Sequence, residues 1–327
     1  MAEQRNQVNI PANLVPKVWA KKVWHEGVKD SYFDKFTATD GSNVVHKNKD
    51  LENVKGDSVV FGLMMNLTGS GVEGNRQKLA GAEDTLNIYD FTVNTKLVRN
   101  AVSRYEADDQ RTQYDMLKEI KIALKQWLSD WLDDRLISRL SYNPSNGEVL
   151  YASAAGTQSS ITANDKLTTT IISRAKRKAM MHAPKVQPIK VDGMDKYIML
   201  VHPWAARDLK DDPKWLAAQQ NANVRGSKNP IFTGALGEYD GVILYEYERV
   251  QTGNIGASSA NVCQNLLLGK QAACFAVSRP AKHIEQTDDY GNIAGNGIAF
   301  YGAVEKTNFN GKDYGVINVM TGGAVER

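Results

Sequence analysis

The chain has 327 residues, 42% of them apolar and 24% charged, with two cysteines and with 40 Lys plus Arg against 37 Asp plus Glu. At this size about 75% of the unfolded surface is buried on folding, so neither disulfides nor a metal is needed to hold a core, and the length predicts about two domains. A net charge of +3 is too small to announce a dedicated nucleic-acid or membrane binder. Cys263 and Cys274 lie in apolar contexts at a spacing that fits neither a zinc clip nor a redox pair, and read as buried free thiols. The N-terminal MAEQRNQVNIPANLVPK carries no signal-peptide pattern, and the longest apolar runs fall far short of the roughly 20 residues that span a bilayer, so a soluble chain made inside the cell is expected.

The first helix-like period is VWAKKVWHEGV, through Val18, Trp19, Val23 and Trp24. Complete burial of a large apolar side chain contributes about 1.5–3 kcal/mol, so a terminal segment with Trp19 and Trp24 is expected to dock on another surface, such as a second subunit. In KGDSVVFGLMMNL, Val59, Phe61, Leu63, Met65 and Leu67 make one apolar face of a strand. A second extended piece, TLNIYDFTVNTKLV, alternates through Leu86, Ile88, Phe91 and Val93. The two predict a long hairpin whose polar, glycine-rich connection, residues 68–84, exceeds the two to five residues of an ordinary tip.

The strongest periodicity predicts a helix over 108–140, with Tyr114, Leu117, Ile120, Leu124, Trp127, Leu128, Trp131, Leu132, Leu136 and Leu140 at spacings of three and four. Asp108 and Asp109 suit its positive end, and Asn143-Pro144 and Asn146-Gly147 stop it. Such a rod is roughly 50 Å long and reads as a central strut. A second helix is predicted over 164–182, with Asn164 as N-cap and Ala183-Pro184 as terminator. Its cluster Arg174, Lys176, Arg177 and Lys178 reads as a solvated face in preference to a phosphate patch. Beyond residue 190 short strands dominate: 196–201, 241–250, two within 264–278, and two more at the end joined by an Asn310-Gly311 turn, with one or two short helices between 203 and 219. The pattern is α+β, one very long helix among mostly antiparallel strands.

Catalytic signatures fail one by one. Gly69-Ser70-Gly71-Val72-Glu73-Gly74 is a literal GxGxxG, but no apolar helix follows to put a dipole on a pyrophosphate, so it reads as a flexible loop. Gly269-Lys270 has Gln264 and Gln271 where a phosphate loop needs Gly and Ser or Thr. The five histidines show no metal-ligand spacing, and no GxSxG elbow is present. Asp133-Asp134 diverge by about 100° on a helix and read as solvated face, while Asp211-Asp212 and Asp288-Asp289 read as turn or cap residues. No catalytic, cofactor-binding or metal-binding residue is assigned.

Several blocks carry a resemblance. KDLENVKGDSVVFGLMMNLTGSGVEGN (49–75), TLNIYDFTVNTKLVRNAV (85–102), VHPWAARDLKDDPKWLAAQ (201–219), NPIFTGALGEYDGVILYE (229–246), LLLGKQA (266–272) and EKTNFNGKDYGVINV (305–319) together resemble major capsid proteins of tailed phages related to coliphage N-four. The chain departs from that pattern at Leu79-Ala80-Gly81-Ala82-Glu83-Asp84. The resemblance implies the Hong Kong 97-type capsid fold, with an N-terminal arm at 1–54, an extended loop at 55–98, a peripheral domain at 99–185 containing a spine helix at 107–141, an axial domain at 186–300, and C-terminal strands at 301–327 returning to these domains. It implies hexamers and pentamers of the chain in an icosahedral virion shell around double-stranded DNA held non-specifically, assembled in the bacterial host cytoplasm without a membrane. A separate scaffolding protein, a portal and a decoration protein are implied partners. Inter-subunit contacts are expected at Trp19, Trp24, Val59, Phe61, Leu63 and Met65, with Gly69, Gly71 and Gly74 letting the loop tip change shape between positions. The competing readings are an encapsulin-type nanocompartment of the same fold and, from another class, a nucleotide-binding enzyme using Gly69–Gly74.

Overall fold

The computed structural model describes residues 31–49, 58–64, 67, 69, 71–74, 80, 83–107, 116–145, 148–154, 156–221 and 236–323. Trp19, Trp24, Met65, the expected helix start at 108–115 and the Asn146-Gly147 stop lie outside them.

In chain order, a 3-10 turn, Tyr32–Phe36, leads to β1 (Thr37–Ala38), β2 (Val45–Asn48), β3 (Ser58–Met64), β4 (Ile88–Asn94) and β5 (Lys96–Tyr105). Helix α1 (Met116–Ser141), β6 (Val149–Tyr151), α2 (Thr169–Met181), β7 (Ile189–Val191) and β8 (Met194–Val201) follow, then α3 (Pro203–Lys210) and α4 (Pro213–Asn221). Strands dominate the rest of the described residues, with short 3-10 turns at Ala257–Ser259 and Asp289–Gly291: β9 (Gly237–Tyr239), β10 (Val242–Glu246), β11 (Thr252–Gly253), β12 (Val262–Leu268), β13 (Ala273–Asp288), β14 (Ile293–Lys306), β15 (Asn308–Phe309), β16 (Lys312–Asp313) and β17 (Val316–Gly322). One sheet has the order β1-β2-β13-β14-β5; a larger one runs β6-β17-β12-β8-β10-β9, with β11 on β12 and β7 on β8. β3 and β4 form their own antiparallel ribbon.

The larger sheet is covered on both faces. Along β8, Ile198 and Leu200 enter the core shared with α1, whereas Tyr197, Met199 and Val201 enter a second core with α2 and α3. Strand side chains alternate faces, so a strand covered on both sides reads as an uninterrupted apolar run, which is what YIMLV is. Helix α1 packs along β14, burying Ile120, Leu124, Leu128, Leu132, Leu136 and Leu140 against residues such as Phe275, Ile298 and Phe300. Its 26 described residues make a rod about 39 Å long. This core also joins the two sheets, because Leu266, Leu268 and Val316 of the larger sheet belong to it.

Several expectations are corrected. Residues 31–49, read as part of an arm, are built into the body: Phe33, Phe36, Val44 and Val45 are fully buried beside α1. Helix α2 begins at Thr169, not after Asn164; the Asp165 carboxylate instead closes a turn onto Thr162 N–H at 2.7 Å, and the cap comes from elsewhere in the chain. The Asp212 carboxylate accepts from both the backbone N–H and the hydroxyl of Thr169 at 2.8 Å. The Asn310-Gly311 turn, with φ of 50° and 72°, closes only the small β15–β16 hairpin. The long strands on either side go to different sheets, β14 to β13 and β17 to β12.

Candidate assembly surfaces

The β3–β4 ribbon is in register from Ser58 opposite Asn94 to Met64 opposite Ile88. Its pairs Val59–Val93, Phe61–Phe91 and Leu63–Tyr89 share a face by strand alternation. Val59, Phe61 and Val93 are buried against Cys274, Ala276 and Ala303 of β13 and β14. Phe61 meets the His46 ring edge-on at 5.5 Å, and Phe91 meets Phe309 at 6.2 Å. Val59 and Phe61 thus bury on their own chain, which corrects the expectation that they need a neighbour; Leu63 is half-buried.

The opposite face is what stays open. Val60 is 61% exposed, Met64 64% and Ile88 63%, with Leu67 at 62% and Leu86 at 47% beyond the strand ends. This also corrects the expected parity: the inward residues of β4 are the odd-numbered ones, so Leu86 and Ile88 are not on the Val93 face, and Leu67 lies past the end of β3. The connecting loop is closed at its base by the Gly69 N–H, which donates to Asp84 Oδ2 at 2.6 Å. Gly71 and Gly74 have φ of +68° and +84°, a left-handed backbone that a side chain strains. No ordered helix follows the glycines among the described residues; the chain reaches β4.

A second surface is the root of the N-terminal segment. Asp133, read from sequence as solvated, is 6% exposed. It accepts a short hydrogen bond from the Ser31 hydroxyl and one from the Tyr32 N–H at 2.9 Å. Burial raises its carboxyl above the usual range, opposed by those two hydrogen bonds. Tyr32 stacks on Tyr247 at 4.1 Å between centroids, and the Lys35 ammonium sits 3.9 Å from the Tyr32 ring centre. Beside this, Arg249 clasps α1 by donating to Asp130 at 2.5 Å and Asp134 at 2.9 Å. Ser129 and Ile137, one turn away on either side, are buried on the same face of α1.

The basic cluster of α2 is divided. Lys176 pairs with Asp240 at 2.8 Å and Lys178 donates to the Val149 carbonyl at 2.6 Å, while Arg174 and Arg177 are exposed. Among the described residues no group of three or more His, Cys, Asp or Glu is placed to hold a metal ion. Cys263 and Cys274 are free and buried, and burial pushes their thiols up to about 12 and about 11, unreactive values. Asp288 accepts from Asp289 N–H in the turn joining β13 to β14, as a cap residue should.

A family model described as phage capsid protein matches residues 11–325. The major capsid protein of Pseudomonas phage KPP25 is 26% identical over 357 residues, covering 92% of this chain and 93% of that one. The solved capsid of Ralstonia phage GP4 is 26% identical, with a TM-score of 0.80, over 100% of this chain and 96% of that one. The capsid asymmetric unit of cyanophage Pam1 has 23% identity and a TM-score of 0.82 over 100% and 97%. The holo-SrpI encapsulin complex of Synechococcus elongatus PCC 7942 is more distant, 10% identical with a TM-score of 0.55 over 100% and 96%.

Proposed function

The chain belongs to the phage capsid protein family, with the Hong Kong 97-type fold, and within it we propose the role of major capsid protein: the repeated subunit of a virion shell. The observation that carries this reading is the end-to-end match, 100% of the chain superposing on 96% of a solved phage capsid subunit at 26% identity. The encapsulin is the weaker match on both identity and TM-score.

In this reading, hexamers and pentamers close an icosahedral shell around double-stranded DNA, with assembly in the host cytoplasm and a scaffolding protein, portal and decoration protein as separate chains. The ribbon of β3 and β4 with its glycine loop is the extended loop, α1 the spine helix of the peripheral domain, and the sheet containing β8, β10 and β12 the heart of the axial domain. The exposed Met64 and Ile88 support an overlap of the extended loop with a neighbouring copy, because an isolated subunit leaves that apolar face in water. Leu63, Met65, the Trp19 and Trp24 arm and the glycine loop belong to the same set of contacts. The subunit works by packing and performs no turnover.

Size-exclusion chromatography followed by negative-stain microscopy tests the assignment. Capsid-like particles or large oligomers are expected; a monomer under every assembly condition, with and without scaffold, refutes it. Nuclease-resistant DNA in particles made during infection, with no enzyme cargo, separates the capsid from the nanocompartment.

A further inference from the structure

A polar groove of about 400 Å³ lies where three segments meet: Ser42 and Asn43 before β2, residues 185–190 leading into β7, and Lys270 in the turn between β12 and β13. Lys185, Lys190 and Lys270 line it, with Asp195 as its one acidic lining residue. The walls are stitched by main-chain hydrogen bonds, from Lys270 N–H to the Gln187 carbonyl at 2.8 Å and from Gln271 N–H to the Asn43 carbonyl at 2.9 Å. Gly269 is required for that close approach, since a Cβ there would lie 2.6 Å from the Gln187 oxygen. Val186 and Ile189 are buried in the body, which turns Lys185 and Lys190 outward. Among the described residues no carboxylate lies within ion-pair distance of the three ammonium groups, unlike Lys176, Lys196 and Lys306, which all have one.

From this arrangement we infer that the groove is a binding site for phosphate groups. Three ammonium groups, two on the 185–190 segment and one on the turn hydrogen-bonded to it, supply point charges without the fork of an arginine, which suits a phosphate approached in any rotation. An acidic peptide fits less well, because the main-chain groups it would pair with, at Gln187, Asn43, Lys270 and Gln271, are already used in the stitching. The source of the phosphate is the backbone of the enclosed DNA; that assignment alone rests on the capsid reading, whereas the phosphate chemistry stands without it. One weak groove per subunit is compatible with a chain of net charge +3, since repetition over a shell adds the contacts while each remains readily released.

Three arms on the full chain test this: fluorescence anisotropy with a labelled DNA duplex, isothermal titration with inorganic tripolyphosphate, and competition of poly-glutamate against either. With three phosphates neutralised, the wild type should lose about 40-fold in affinity between 50 and 200 mM salt. K185A/K190A/K270A should bind at least tenfold more weakly at 50 mM salt and flatten the salt slope by about 3. R174A/R177A, which removes two exposed cations of α2, should leave both unchanged, and equal unfolding midpoints of all variants show that folding is intact. Binding of tripolyphosphate but not duplex keeps the phosphate site and overturns DNA as its source. Competition by poly-glutamate alone, or a triple variant indistinguishable from wild type, overturns the site. None of these outcomes depends on particle formation, so a failure here and a failure of the capsid reading are told apart.

Discussion

Two aspartates illustrate how much a single residue's role depends on contacts far away in sequence. Asp133 and Asp212 look alike on paper, each half of an Asp-Asp pair, and the turn or cap reading of Asp212 is correct as far as it goes, because it accepts from Lys214 N–H at 3.0 Å. Neither its reach to Thr169, 43 residues away, nor the grip of Asp133 on Ser31 leaves a local trace. Replacing Asp133 by Ala strands the Tyr32 N–H and the Ser31 hydroxyl, and should cost about 1–3 kcal/mol in urea unfolding followed by tryptophan fluorescence. Asp133→Asn keeps an acceptor and a donor in place and should cost much less. The two carboxyls have opposite pH signatures. Burial tends to raise Asp212, but the hydrogen bonds from Thr169 and Lys214 outweigh it and hold the carboxyl below the usual range. Its contribution is therefore present above the ordinary Asp range and lost as the pH falls through the depressed value. Asp133, raised by burial, favours the fold at low pH and loses that contribution as the pH rises through its raised value. Thermal melts between about pH 2 and 5 should show a weaker acid limb in Asp212→Ala, together with a cap loss of about 0.5–2 kcal/mol at neutral pH; an unchanged limb refutes the role.

At the level of elements, the sequence is most legible where one periodic stripe faces one core. The leucine stripe of α1 from Ile120 to Leu140 is visible in the residue spacing and is the stripe that is buried. The hairpin of β3 and β4 is legible as a pair of strands, but the inward parity of β4 is not. Leu86 and Ile88 are as apolar as Phe91 and Val93, and only the register with β3 decides which set meets β13 and β14. That parity gives the ribbon two mutational phenotypes. Phe61→Ala removes a buried ring and should destabilise the subunit itself by up to about 3–5 kcal/mol. Met64→Ser with Ile88→Ser should leave the unfolding midpoint of the unassembled subunit nearly unchanged and reduce the yield of particles on negative-stain grids. Equal effects of the two changes on folding and on assembly would contradict the division of faces.

Over the whole molecule, the two-domain expectation from length becomes two sheets that share one core through α1, with a second core on the far side of the larger sheet. The class and the longer strands of that larger sheet, β8, β10, β12 and β17, are legible in the sequence, whereas the short β6, β7, β9 and β11 and the strand order are not, because pairing between β17 and β6 joins Asn318 to Val149 across more than half the chain. Such a topology is slow to complete, since distant segments must meet before their contacts contribute. Strand β17 is buried at all seven positions between β12 and β6. A ribosome must therefore deliver residues 316–322 before the sheet can close, and translation itself imposes an order of events. A nascent chain has no finished body to offer a neighbour, so subunits enter association only after synthesis has passed this strand, and incomplete products cannot be built into a wall.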